Sequence, residues 1–139
     1  MKFNYITKYS LDCFKCLTGV TIDKNRKYID DNVFKNFKIT SIKINIEWIN
    51  KFNKNYIRTI SFNDNFIELN LNLLQSFPNL TELSLPLSVK TIKGSYKTNL
   101  PKLKVLECSP SLLQYFPGIQ LETYHIMNGT KNLGFINKI

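Results

Sequence analysis

Leu80-Thr81-Glu82-Leu83-Ser84-Leu85 places an apolar residue at its first, fourth and sixth positions. Leu17/Val20/Ile22, Ile39/Ile42/Ile44, Ile57/Ile60/Phe62, Leu103/Leu106/Cys108 and Leu121/Tyr124/Ile126 repeat that spacing, so that a core begins at each of Leu17, Ile39, Ile57, Leu80, Leu103 and Leu121. Self-similarity at about twenty residues marks a solenoid of stacked coils, none of which can bury its apolar face alone. Positions four and six alternate with a polar position five and are rich in Ile, so each core reads as a short strand. Stacked, the six strands line the concave side as a parallel sheet.

Between the cores the pattern changes. In Tyr28 to Phe37, the residues Ile29, Val33 and Phe37 share one helical face, and Asp30 and Asp31 fall in the first turn, where carboxylates favour the helix dipole. This predicts one or two helical turns on the convex side. Ile46, Ile49 and Phe52 act similarly in the next connection, with Trp48 packing inward or standing at the rim. Pro78, Pro101 and Pro117 stop the preceding segment just before a strand, since proline cannot continue a helix and biases its predecessor to extended geometry.

Residues 1–16 stand outside the repeat. Phe3, Ile6, Tyr9 or Ser10, Cys13 and Leu17 recur at three- and four-residue steps, which predicts an amphipathic helix capping the first coil. The repeats occupy residues 17–127, and residues 128–139 form a C-terminal cap or an incomplete repeat.

Two stretches narrow the architecture. Leu83-Ser84-Leu85-Pro86-Leu87-Ser88-Val89-Lys90-Thr91-Ile92 resembles the Pro-x-Ser-Val-x-x-Ile half of the repeat in BspA-like leucine-rich repeat proteins, and Ile29 to Phe37 resembles its Ile-x-x-x-Ala-Phe-x-x-Cys half. Asn65 and Ile67 complete Leu-x-x-Leu-x-Leu-x-x-Asn-x-Leu after Ile57/Ile60/Phe62. Only Asn25 and Asn65 occupy the asparagine position; Glu47, Ser88, Ser111 and Gly129 replace it elsewhere, so those corners must satisfy their backbone by other means. The resemblance implies an α/β leucine-rich repeat solenoid of about six short coils, with short helical or irregular convex segments. It also implies a recognition scaffold without shared catalytic residues.

Composition bounds the function. The 139 residues suffice for one domain, and 43% apolar with 21% charged residues lies in the globular range. The net charge of +9 raises nucleic acid as a partner. Yet residues 1–70 hold 12 basic and 7 acidic side chains and residues 71–139 hold 7 and 3, an excess of +5 and +4 with no basic arm. Only Arg26 and Arg58 are arginine, the residue suited to bidentate phosphate contacts. Lys, Asn, Ile, Phe and Tyr abound and Ala is absent, the profile of an AT-rich coding sequence, which accounts for part of the charge. Met1 to Val20 holds no apolar run of secretory length and no stretch approaches a membrane span, so a cytoplasmic chain is expected. The glycosylation sequons at Asn79 and Asn128 matter only on export.

The polar strand positions project from the sheet. The candidate binding residues are Lys43, Arg58, Ser61, Glu82, Ser84, Lys104, Glu107 and His125. Across positions two, three and five of the six cores hydroxyl residues are the commonest type, and Thr and Ser also simply suit an exposed parallel strand. Cys13-Phe14-Lys15-Cys16 has metal-knuckle spacing, but a zinc site needs four ligands and only Cys108 and His125 remain, on distant coils. His125 is the sole histidine, no nucleophile with an oxyanion hole is visible, and no phosphate loop occurs. The expectation is a non-catalytic protein-binding scaffold without a cofactor, monomeric or weakly self-associating. Lysine-mediated binding to nucleic acid or an anionic membrane surface is the alternative.

Overall fold

The structure, a computed structural model, describes residues 5–6, 17–25, 28–30, 33–128 and 131–136. Its strands are β1 (Tyr5–Ile6), β2 (Gly19–Thr21), β3 (Tyr28–Ile29), β4 (Ser41–Ile44), β5 (Thr59–Phe62), β6 (Glu68–Asn70), β7 (Glu82–Ser84), β8 (Thr91–Lys93), β9 (Val105–Cys108), β10 (Thr123–Asn128) and β11 (Lys131–Ile136). β2, β4, β5, β7, β9 and β10 are the six repeat cores. They form one parallel sheet in chain order, with β11 added antiparallel to β10.

The register keeps repeat positions aligned. Val20, Ile42, Ile60, Leu83, Leu106 and Tyr124 lie directly opposite one another, as do Thr21, Lys43, Ser61, Ser84, Glu107 and His125. The first column is buried and the second faces away from the core. Position six is also buried from Ile22 to Cys108, and Ile126 is half-buried at the last coil. A slip of one residue would turn these side chains outward, so burial itself specifies the register.

Position two anchors the ladder. The carbonyls of Thr18, Thr40, Arg58, Thr81 and Lys104 each accept two amides from the next coil, at 2.8–3.2 Å. Just before β4, β5, β7, β9 and β10 a tight turn closes between Phe34 and Phe37, Asn53 and Tyr56, Phe77 and Leu80, Leu100 and Leu103, and Phe116 and Ile119, at 3.1–3.3 Å. Pro78, Pro101 and Pro117 are the second residues of the last three turns, where their fixed φ is preorganised. Gly118 takes φ 72° at the third position, as a type II turn requires.

The convex side sorts by coil length. The two shorter coils, Ile39 to Ile57 and Leu103 to Leu121, cross it with the 3-10 helices Ile46–Lys51 and Pro110–Tyr115. The longer coils, which begin at Leu17, Ile57 and Leu80, each open a short strand at the same offset from the start of the core, at Tyr28, Glu68 and Thr91. β6 pairs in parallel with β8 and β1 with β3. After β6 and β8 these coils turn through the 3-10 helix Leu71–Leu74 and the single α-turn α1 (Tyr96–Asn99).

Two expectations change, and a third lies mostly outside the described residues. The described residues of 28–37 are not helical: β3 is followed by turns and by a parallel bridge between Phe34 and Phe52, whose rings stack at 4.9 Å. Phe34 is fully buried while Phe37 is half-buried, because bridging the neighbouring coil turns Phe34 inward. The corners are bonded mainly by Asn45, Asn63 and Ser88, whose side chains donate to the carbonyls of Lys24, Ile22 and Phe66 at 3.0, 2.8 and 2.8 Å. Asn25 and Asn65 are exposed instead. Of the residue 1–16 segment, only Tyr5 and Ile6 are described and both are extended; Cys13 and Cys16 lie outside the described residues.

Candidate functional site

The sheet face is built from positions two, three and five of successive cores. Its threonines divide into two kinds. Thr40 and Thr81 turn their hydroxyls back to the carbonyls of Thr18 and Arg58 at 3.4 and 3.3 Å, reinforcing the ladder. Thr59 instead donates across the sheet to Glu82 Oε2 at 3.3 Å, and Ser84 Oγ donates to Glu107 Oε1. Each carboxylate is therefore held by a hydroxyl from the preceding coil. Fixing a charged acceptor this way lowers the ordering entropy that a ligand must overcome.

These groups meet in a shallow depression of about 160 Å³ lined by Thr59, Glu82, Leu83, Ser84, Val105, Glu107 and His125. Glu82, Ser84, Glu107 and His125, four of the eight residues expected from the sequence, are thus brought together. Lys43 and Ser61 continue the His125 column toward the first coil. Arg58 lies at the strand-start margin, and there Lys104 pairs with Glu122 at 3.8 Å, both side chains largely exposed. Such an exposed pair contributes at most about 1 kcal/mol. Thr59 and Val105, position-three neighbours of Glu82 outside the eight candidates, also line it, because spacing alone does not say which coils share a depression.

The order within one row bears on chemistry. Ser84, Glu107 and His125 stand side by side on β7, β9 and β10, with the carboxylate in the middle. A Ser-His-acid relay needs the imidazole between hydroxyl and carboxylate. Here the serine proton points at Glu107.

Cys108 occupies a buried core position on β9. Burial pushes its thiol from 9.0 up to about 12, against the lowering effect of the Tyr124 hydroxyl. Tyr124 donates to the Cys108 carbonyl at 2.8 Å, and burial raises its own pKa. Thiolate chemistry is suppressed there. Asp64 is likewise raised, mainly by desolvation, against the lowering effect of the Ile46 amide it accepts at 3.2 Å. Among the described residues no three His, Cys, Asp or Glu side chains are grouped to hold a metal, and no helix is long and apolar enough to cross a membrane.

A family model for the BspA type leucine-rich repeat region, in 6 copies, matches residues 1–51 and 49–134. The chain belongs to that family. Six aligned cores and a mostly parallel sheet are the structural counterpart of the repeat match. BspA-type repeats form scaffolds that often bind proteins and are generally not enzymes. No curated protein and no solved structure matches the chain.

Proposed function

We propose that this BspA-type solenoid is a non-catalytic protein-binding scaffold whose sheet face is the contact surface. The observation that carries this reading is the side-by-side alignment of Lys43, Ser61, Ser84, Glu107 and His125 on five adjacent strands. Two hydroxyl-tethered carboxylates sit beside a depression in the same face. The backbone ladder fixes where each side chain stands before a partner arrives, so association costs little ordering of the scaffold. Large aromatic anchors are sparse in these columns, so shape and hydrogen bonds would carry the recognition.

Site-specific photo-crosslinking tests the surface directly. A photoreactive residue at Lys43 or Ser61 should trap a protein partner from native extract, and the same residue at Gln75 or Ser76 on the convex side should not. Trapping confined to the convex positions would refute the proposal.

A further inference from the structure

The tight turns that precede the strands form a row along one margin of the sheet, and charge is sorted onto it. Across residues 34–38, 53–58, 77–81, 100–104 and 116–122 there are six basic side chains, Lys35, Lys38, Lys54, Arg58, Lys102 and Lys104, and a single acidic one, Glu122. Asp23, Glu47 and Asp64 follow their strands, at the opposite margin, and Glu68 is convex. What reads in sequence as dispersed charge is therefore concentrated by the coiling.

The row is also held in place. Asn79 Nδ2 donates to the Asn55 carbonyl at 2.8 Å, and Lys102 Nζ donates to Asn79 Oδ1 at 3.1 Å, tying three successive turns together. Tyr96 ties the convex side to the last turn through the Pro117 carbonyl at 2.6 Å. Lys54 lies over the Phe77 ring at 5.3 Å. In the second turn of the row stands Tyr56, 39% exposed and one of three large hydrophobic residues left in solvent among the described residues. Tyrosine and arginine are the side chains most often found as binding anchors, and Tyr56 and Arg58 are near neighbours in the chain here.

We infer that this margin, comprising Lys38, Lys54, Tyr56, Arg58, Lys102 and Lys104, docks an extended acidic segment of the protein partner. The inference rests on the protein-binding reading above and adds the partner's chemistry. Strand spacing puts the Lys38 and Lys104 coils about 14 Å apart, the reach of about five extended residues at about 3.3 Å each. Carboxylates suit Arg58 through its paired donors, and lysines on either side attract them over a screening length of about 8 Å at physiological salt. The depression containing Glu82 and Glu107 repels the same segment, which keeps it on the margin. A single exposed aromatic falls short of the successive stacking platforms on which single-stranded nucleic acid depends.

The test measures fluorescence anisotropy of a labelled hexaglutamate peptide at about 50 and about 150 mM salt, a range over which charge-driven binding weakens. Wild type is compared with Arg58→Glu/Lys102→Glu, with Tyr56→Ser, and with Lys24→Glu/Lys90→Glu, which makes the same net-charge change away from the margin. All these positions are exposed, and thermal melting verifies folding. Expected are at least a tenfold loss for the margin pair, a several-fold loss for Tyr56→Ser and less than a threefold change for the control pair. Equal losses in both pairs, or no binding by wild type, would overturn the inference. So would tighter, margin-dependent binding of an oligonucleotide of equal charge. Partner trapping from Lys43 or Ser61 that is indifferent to the margin pair would sink the margin while leaving the scaffold reading intact.

Discussion

The sheet and the convex connections are made by the same coils yet obey different rules. Six cores pair residue against residue without a slip, whereas the connections use a short strand followed by a helical turn in the long coils from Ile57 and Leu80 and a 3-10 helix without a strand in the short ones. A sheet strand must match the hydrogen-bonding edge of both neighbours, so every coil faces the same constraint. A connection need only cover the core and arrive at the next strand, so its length decides its form. β3 and β6 do not pair, because a short coil lies between them and crosses with a helix.

The largest expected effect separates core from cover. Ile60→Ala, at a fully buried site in the central strand, should lower unfolding free energy by about 2–5 kcal/mol, whereas Ile67→Ala, at a residue 65% exposed, should shift it by less than about 0.5 kcal/mol. Denaturant titration decides; comparable losses would erase the distinction. Next come the corners. Asn63→Ala deprives the Ile22 carbonyl of its donor and should cost about 1–3 kcal/mol, while Asn65→Ala, at the position favoured by the repeat pattern, should cost almost nothing. The reverse ranking would restore the asparagine ladder expected from sequence.

Two glycines sharpen the comparison further. Gly94 and Gly118 both have positive φ, 90° and 72°, and alanine there should cost about 1–2 kcal/mol in strain. Gly94→Ala should be the worse of the two, since its Cβ would lie 3.2 Å from Asn72 Oδ1, whereas at Gly118 it meets open space. Equal melting temperatures for the two variants would show that the Asn72 side chain yields freely.

The smallest effect at neutral pH belongs to Cys108. Its folded pKa is raised from 9.0 to about 12, so the stability from keeping the thiol neutral is fully present below 9. That stability is lost as pH rises through about 12. The denaturation midpoint should therefore be flat from pH 6 to about 8.5 and fall above 9, with a shallower fall in Cys108→Val. Identical slopes would assign the alkaline loss elsewhere.

Legibility followed the same division. The register column from Thr21 to His125 could be written down from spacing alone, because period-two alternation inside a repeated core leaves one choice of face. The helix expected over residues 28–37 failed because Ile29, Val33 and Phe37 fit a helical stripe as well as they fit a strand followed by turns. Only the Phe34 and Phe52 bridge from the next coil discriminates. Of the depression's lining, Glu82, Ser84, Glu107 and His125 were among the candidates read from the spacing, and none of the partnerships was. That Ser84 holds Glu107 and Thr59 holds Glu82 depends on side-chain orientation across successive coils. The basic margin was hidden for a related reason, since Lys54, Tyr56 and Lys102 precede the apolar triplets and look like unrelated loop residues.

The sequence by itself determined the number of coils, the inward column and the face that meets solvent, because hydrophobic burial acts on a pattern any single coil already displays. Tertiary structure alone decided which convex segments pair, which carboxylates are tethered and where the excess charge collects. Those depend on residues a whole coil apart in the chain being brought to within a strand spacing, a proximity that stacking creates.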